Sequence, residues 1–133
     1  MTMTATPIFA QTPIVAIATL TSPTAVTART NIVGTTGLVK LTDTSTNGLR
    51  IDAITVKSKG TSLAGLVMIW LYDGTTSHLI DEVDLSAITA STTLASFVSN
   101  KYPSGWTLKP TQQLYVSVSV AQDLNVFAFG GAY

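Results

Sequence analysis

The titratable side chains that could do chemistry in this 133-residue chain are few and scattered. The single histidine, His78, follows the Asp73-Gly74 pair that marks a hairpin turn. A general base needs a partner within hydrogen-bond reach, and Asp73, Asp81 or Glu82 would meet His78 only by accident of the fold, so His78 reads as an exposed turn residue. With no cysteine and one histidine, a zinc site would have to be completed by carboxylates or water, and it is rejected. Asp81, Glu82 and Asp84 form the only acidic cluster. On a strand Asp81 points away from the other two, and the spacing is not that of a calcium loop. Lys57 and Lys59, with Arg50 and Lys40, could make a small basic patch, but no aromatic residue lies between the two lysines. A solvated strand edge is the better reading than a phosphate-binding face. There is no glycine-rich phosphate loop and no G-x-S-x-G elbow. No catalytic residue, cofactor site or metal site is therefore expected, and the chain is read as a non-enzyme.

The elements that would position such residues are strands. Thr, Val, Ile, Tyr and Phe are abundant, and no window carries an apolar stripe of helical period. Strands are expected over Ile14–Leu20, Gly37–Leu41, Leu49–Lys57, Leu63–Tyr72, His78–Leu85, Thr93–Val98, Trp106–Leu108, Leu114–Val120 and Leu124–Phe129. Turn residues fall every 8–12 positions, as in a sandwich or jelly roll. The expectation is an all-β fold, a jelly-roll-type β-sandwich of about eight strands over residues 14–133. Residues 1–13, with Pro7 and Pro13 around Ile8 and Phe9, read as an extended arm that pairs poorly within its own sheet.

Two strands say more than fold. Leu66, Met68, Trp70 and Tyr72 share one pleat face, yet Val67, Ile69 and Leu71 make the other equally apolar. A face exposed to water should alternate with polar residues, so something must cover this one: a partner subunit, the arm or another layer. Phe127 and Phe129 likewise share a face opposite Val126 and Ala128. Leu114, Val116, Val118 and Val120 alternate with Tyr115, Ser117 and Ser119, which reads as a half-exposed strand.

Composition points to assembly. Charged residues are 11% of the chain, against about 25% for an ordinary soluble domain. No apolar run reaches the roughly 20 residues of a spanning helix, so no membrane partner is expected. Seven basic and seven acidic residues cancel, which argues against a nucleic-acid partner and leaves little repulsion to oppose self-association. The first eleven residues carry no basic or apolar signal regions, and synthesis in a cytoplasm is the default.

A run from Asn47-Gly48 through Arg50-Ile51-Asp52 and Ile54, then Lys57, Gly60-Thr61, Ala64-Gly65, Val67 and Asp73-Gly74, resembles small proteins of tailed bacteriophages and prophages. The likeness extends to an opening Pro7-Ile8-Phe9-Ala10 arm and a closing Phe127 to Gly131 tail. It implies a virion component whose commonest role is to decorate, or cement, the capsid exterior. The partners would be the major capsid protein and the chain itself, as a homotrimer. Pro7, Ile8, Phe9 and Pro13 are then the expected capsid or neighbour contacts, and Phe127, Phe129 and Tyr133 the expected oligomer contacts. An alternative keeps the virion but moves the protein to the tail or baseplate, with Tyr102 and Trp106 stacking on a host glycan. A small hydrolase or lyase ranks last, for want of converging carboxylates or histidines.

Overall fold

Turn chemistry decides where this chain reverses. At Asp73-Gly74 the Asp73 Oδ1 accepts the amides of Thr75 and Thr76 at 2.9 and 2.8 Å. Gly74 takes φ of +99°, which a side chain would resist. The computed structural model describes residues 12–133, and among these there is no helix. Ten strands form: β1 (Thr12–Leu20), β2 (Ile32–Val33), β3 (Val39–Lys40), β4 (Leu49–Ser58), β5 (Gly65–Tyr72), β6 (Thr76–Leu85), β7 (Val98–Lys101), β8 (Trp106–Leu108), β9 (Gln113–Val118) and β10 (Leu124–Ala132). Nine of these have a counterpart among the expected spans, and the tenth, the two-residue β2, carries no pattern legible in sequence. The strand expected over Thr93–Val98 forms instead at Val98–Lys101, where β7 and then β8 pair with β4 like one interrupted strand.

The strands pair as nested hairpins, all antiparallel: β5 with β6, β4 with β7 and β8, β3 with β9, and β1 with β10. Three further pairings, β4 with β10, β5 with β9 and β2 with β6, gather them into two five-stranded sheets. The first sheet runs β1-β10-β4-β7, with β8 also on β4, and the second runs β2-β6-β5-β9-β3. Inner-face residues of both sheets share one core, in which Leu20, Ile54, Val56 and Val126 of the first meet Val67, Ile69, Leu114 and Val116 of the second. Each such side chain contributes about 1.5–3 kcal/mol on full burial.

A bulge sets the phase of β4. Phe129 lies opposite Ala53 but Gly130 opposite Ile51, so β4 carries one extra residue there. Ile51 and Ile54 both face the core although they are three apart, and Asp52 and Ala53 are turned outward. Simple alternation would have put one of the two isoleucines in water.

The second sheet is covered on its outer face by the chain's own connection from β1 to β3. Val26 N–H donates to Val118 O of β9 at 2.8 Å, and Arg29 reaches Glu82 of β6 at 2.6 Å. Between Val26 on β9 and Ile32 on β6 the chain therefore passes from one side of β5 to the other. Ile32 and Val33 then pair with Ser77 and Thr76, and Gly37 returns to pack on Val26. Under this strap Met68 and Trp70 are fully buried, and Trp70 Nε1 donates to the buried Ser117 Oγ at 2.9 Å. The cover demanded by the apolar β5 is thus this chain itself. The expectation of a half-exposed β9 is corrected for the same reason. Ser117 lies under the strap rather than in solvent, and Val120 falls beyond the strand and is exposed.

Candidate interaction surface

Among the described residues, the outer face of the first sheet has no such cover. β1 is its edge strand, and its registers with β10 and β4 place side chains in rows. Val15, Phe129 and Ala53 form one row; Ile17, Phe127 and Thr55 form the next. Val15 is 61% exposed and Ile17 55%. The two phenylalanine rings stack, with centroids 6.3 Å apart and planes 20° from parallel, so they form one flat aromatic surface beside two β-branched side chains. Polar residues frame it. On one side Thr19 Oγ1 meets Asn125 Oδ1 at 3.1 Å, and on the other the Arg50 guanidinium lies against Asp52 at 2.9 Å. An apolar patch with a polar rim on a charge-poor molecule is the pattern of a protein-binding face.

Of the residues singled out in sequence, Phe127 and Phe129 come together in this patch. Tyr133 does not join the stack; its N–H donates to Gly48 O at 3.2 Å and ties the tail to the turn before β4. Pro13 lies in β1, opposite Gly131 and exposed, so the first strand starts at Thr12. Pro7, Ile8 and Phe9 lie outside the described residues. Val15 and Ile17 were missed, though the signal was present. Both parities of Ile14–Leu20 are apolar, the same feature that marked Leu66–Tyr72 as covered on two faces.

A groove of about 470 Å³ runs along the open side of β1, between Ile14–Ile17 and the segment Lys40–Ser45 that follows β3, with Leu49 and Ala132 also lining it. The opposite edge of the same sheet is closed differently. Lys101 of β7 lies opposite the buried Ile54, and its Nζ reaches Asp81 Oδ1 of the other sheet at 2.5 Å and Glu82 O at 3.1 Å.

The charged groups pair with one another. Arg29, Lys40, Arg50 and Lys101, four of the seven Lys and Arg residues, sit in ion pairs with Glu82, Asp43, Asp52 and Asp81. The hydrogen bond from Arg29 holds the Glu82 carboxyl below the usual glutamate range. His78 Nε2 lies 3.2 Å from Asp73 Oδ2 at the exposed hairpin turn. Asp73 is lowered to about 2, first by the Thr76 amide, then by that of Thr75 and by His78. Those bonds serve the turn. Among the described residues no group of three His, Asp or Glu side chains stands where it could hold a metal ion. Trp106 is partly buried against the core, and Tyr102 is 74% exposed. No protein-family model, curated protein or solved structure matches this chain.

Proposed function

We propose that this chain is a structural virion protein of a tailed phage, which decorates the capsid exterior and bridges subunits of the major capsid protein as a homotrimer. The observation that carries the reading is the exposed apolar face of Val15, Ile17, Phe127 and Phe129. Among the described residues the equally apolar outer face of the other sheet lies under a strap, and this one has no counterpart to it. The nested pairing of the strands supports the finer architecture of a jelly-roll sandwich. With β2 set aside and β7 and β8 taken as one strand, eight strands form a folded-back ribbon, β1 on β10 through β5 on β6.

The mechanism is mechanical. Further burial of the two half-buried phenylalanines and two β-branched residues between copies contributes a few kcal/mol in all and joins the copies to one another. A single copy on the shell must set its remaining contacts against an association cost of about 4–15 kcal/mol. Three copies joined around an axis bind as a unit, because after the first contact the others are intramolecular. Weak contacts to neighbouring capsid subunits then hold the shell together.

The test is to add purified protein to shells that lack it and count bound copies per particle. A number that tracks the count of capsid subunits supports decoration, and a handful per particle moves the protein to the tail. The tail reading has one observation in its favour, the highly exposed Tyr102 beside the Pro103-Ser104-Gly105 turn. It predicts binding to host-surface glycan that Tyr102→Ala abolishes.

A further inference from the structure

The free edges of this molecule are not treated alike. β7 is four residues long and turns Lys101 toward the inner side, where Asp81 holds it. An inward charge on a short edge strand prevents another strand from adding. Beyond its two-residue pairing with β2, β6 is interrupted by a bulge at Ile80. β1 carries neither an inward charge nor a bulge, and its one edge device is Pro13, near its start. Its nine residues include no charge, its register with β10 is unbroken, and the groove of about 470 Å³ lies along its open side. A long, regular, apolar edge beside a groove is a template for an added strand.

The shape of the groove says what that strand must be. A strand added to β1 would lie about 4.8 Å away and alternate its side chains between two environments. One set enters the groove against Ile14, Ala16 and Leu41, and the other lies beside Val15 and Ile17 on the outer face. The occupant must therefore be apolar on the parity that lies beside Val15 and Ile17, while the groove presents apolar Ile14, Ala16 and Leu41 and polar Lys40, Thr42 and Asp43 to the other. The segment Pro7-Ile8-Phe9-Ala10 meets this, with Ile8 and Ala10 on one parity and Phe9 on the other. A single proline is tolerated on an outermost strand, where its missing N–H faces solvent.

The sequence does not favour folding that segment back onto its own β1. It joins β1 through Ala10 and Gln11 alone, whereas a two-residue hairpin needs positive φ, for which Asn-Gly or Asp-Gly is the usual sequence. A longer loop would take residues from the segment or from the start of β1. Eleven residues extend at most about 36–40 Å, enough to reach a neighbour. We propose that the β1 groove receives residues 7–10 of a second copy, so that each subunit lends one arm and accepts another. In a ring of three such a head-to-tail contact closes on itself. The proposal rests on the reading of this chain as a self-associating protein, but its test uses no shell.

The native chain has no cysteine, so introduced thiols report one contact each. A tagged Phe9→Cys chain is co-expressed with an untagged chain carrying Val15→Cys or Ile17→Cys, and the exposed Thr111→Cys serves as control. The expected result is a disulfide between tagged and untagged chains for the β1 positions and not for Thr111. Phe9→Asp should in addition reduce the full-length oligomer to a monomer by light scattering without lowering its melting temperature. Three results would overturn the proposal. These are no tagged-to-untagged bond above the Thr111 background, a bond formed only within one chain of a Phe9→Cys, Val15→Cys double variant, or a parent chain that is monomeric at every concentration. Shell binding, counted separately, can fail while arm exchange stands.

Discussion

Ser117 and Trp70 show how one hydroxyl can matter in a chain crowded with Ser and Thr. The indole N–H of a fully buried tryptophan needs an acceptor, and Ser117 Oγ at 2.9 Å supplies it in a place closed to water. Ser117→Ala leaves that donor unsatisfied and should cost about 1–3 kcal/mol. The exposed Ser104→Ala should stay within about 0.5 kcal/mol. Urea midpoints decide it, and a loss at Ser117 no larger than the control would refute the dry hydrogen bond. Asp73 gives a second prediction at this scale. Its carboxyl, ordinarily near 3.8, is lowered to about 2 in the folded chain by the Thr76 and Thr75 amides and by His78. The unfolded chain thus takes up this proton before the folded chain does. The stabilising contribution is complete above the ordinary value and is lost as pH falls through the interval down to about 2. Asp73→Asn cannot ionise, so the stability gap between parent and variant should shrink between about pH 5 and pH 2. Urea midpoints across that range that keep the gap constant would contradict the assignment.

At the scale of the element, turns and strand cores were legible because their signals are local. Asp73-Gly74 marked the β5–β6 hairpin, and the strands over Leu49–Ser58 and Trp106–Leu108 fall within a residue of the expected bounds. What stayed hidden depends on contacts distant in sequence. The strap over β5 is a stretch of Thr and Ala around Val26, Arg29 and Asn31, with no strand pattern. It is held by bonds to β9 and β6 that no window of sequence contains. For the candidate site, Phe127 and Phe129 were legible from their shared parity. Val15 and Ile17 join them only through the β1–β10 register. The bulge in β4 was hidden because it answers a neighbour. At Gly130 a Cβ would run into the Arg50 carbonyl oxygen and lie 2.9 Å from its carbon and 3.1 Å from Ile51 Cα. Those are main-chain atoms, which cannot swing aside. Gly130→Ala should therefore destabilise the fold by about 1–3 kcal/mol, read as a lower urea midpoint. A midpoint equal to the parent's would mean that the bulge relaxes freely.

For the whole molecule, the scarcity of charge and its local pairing fix what kind of association this surface supports. Four cations are already matched by carboxylates, and net charge is zero. Little field is left to steer or hold a charged partner. The apolar face is the opposite case, because its attraction does not depend on screening. Raising salt from about 0.15 to 1 M shortens the screening length from about 8 to 3 Å. That would cost a phosphate-binding surface orders of magnitude in affinity. Self-association through Val15, Ile17, Phe127 and Phe129 should instead persist at about 1 M sodium chloride and tighten in sulfate, which strengthens apolar burial. Ile17→Lys sets an ammonium in the middle of that face, at a position already exposed. The folded domain should keep its melting temperature while the dissociation midpoint rises at least about tenfold, or 1.4 kcal/mol. Light scattering over a dilution series at both salt levels measures each effect. An assembly that dissolves in salt, or that ignores the lysine, would place the contact elsewhere on the molecule.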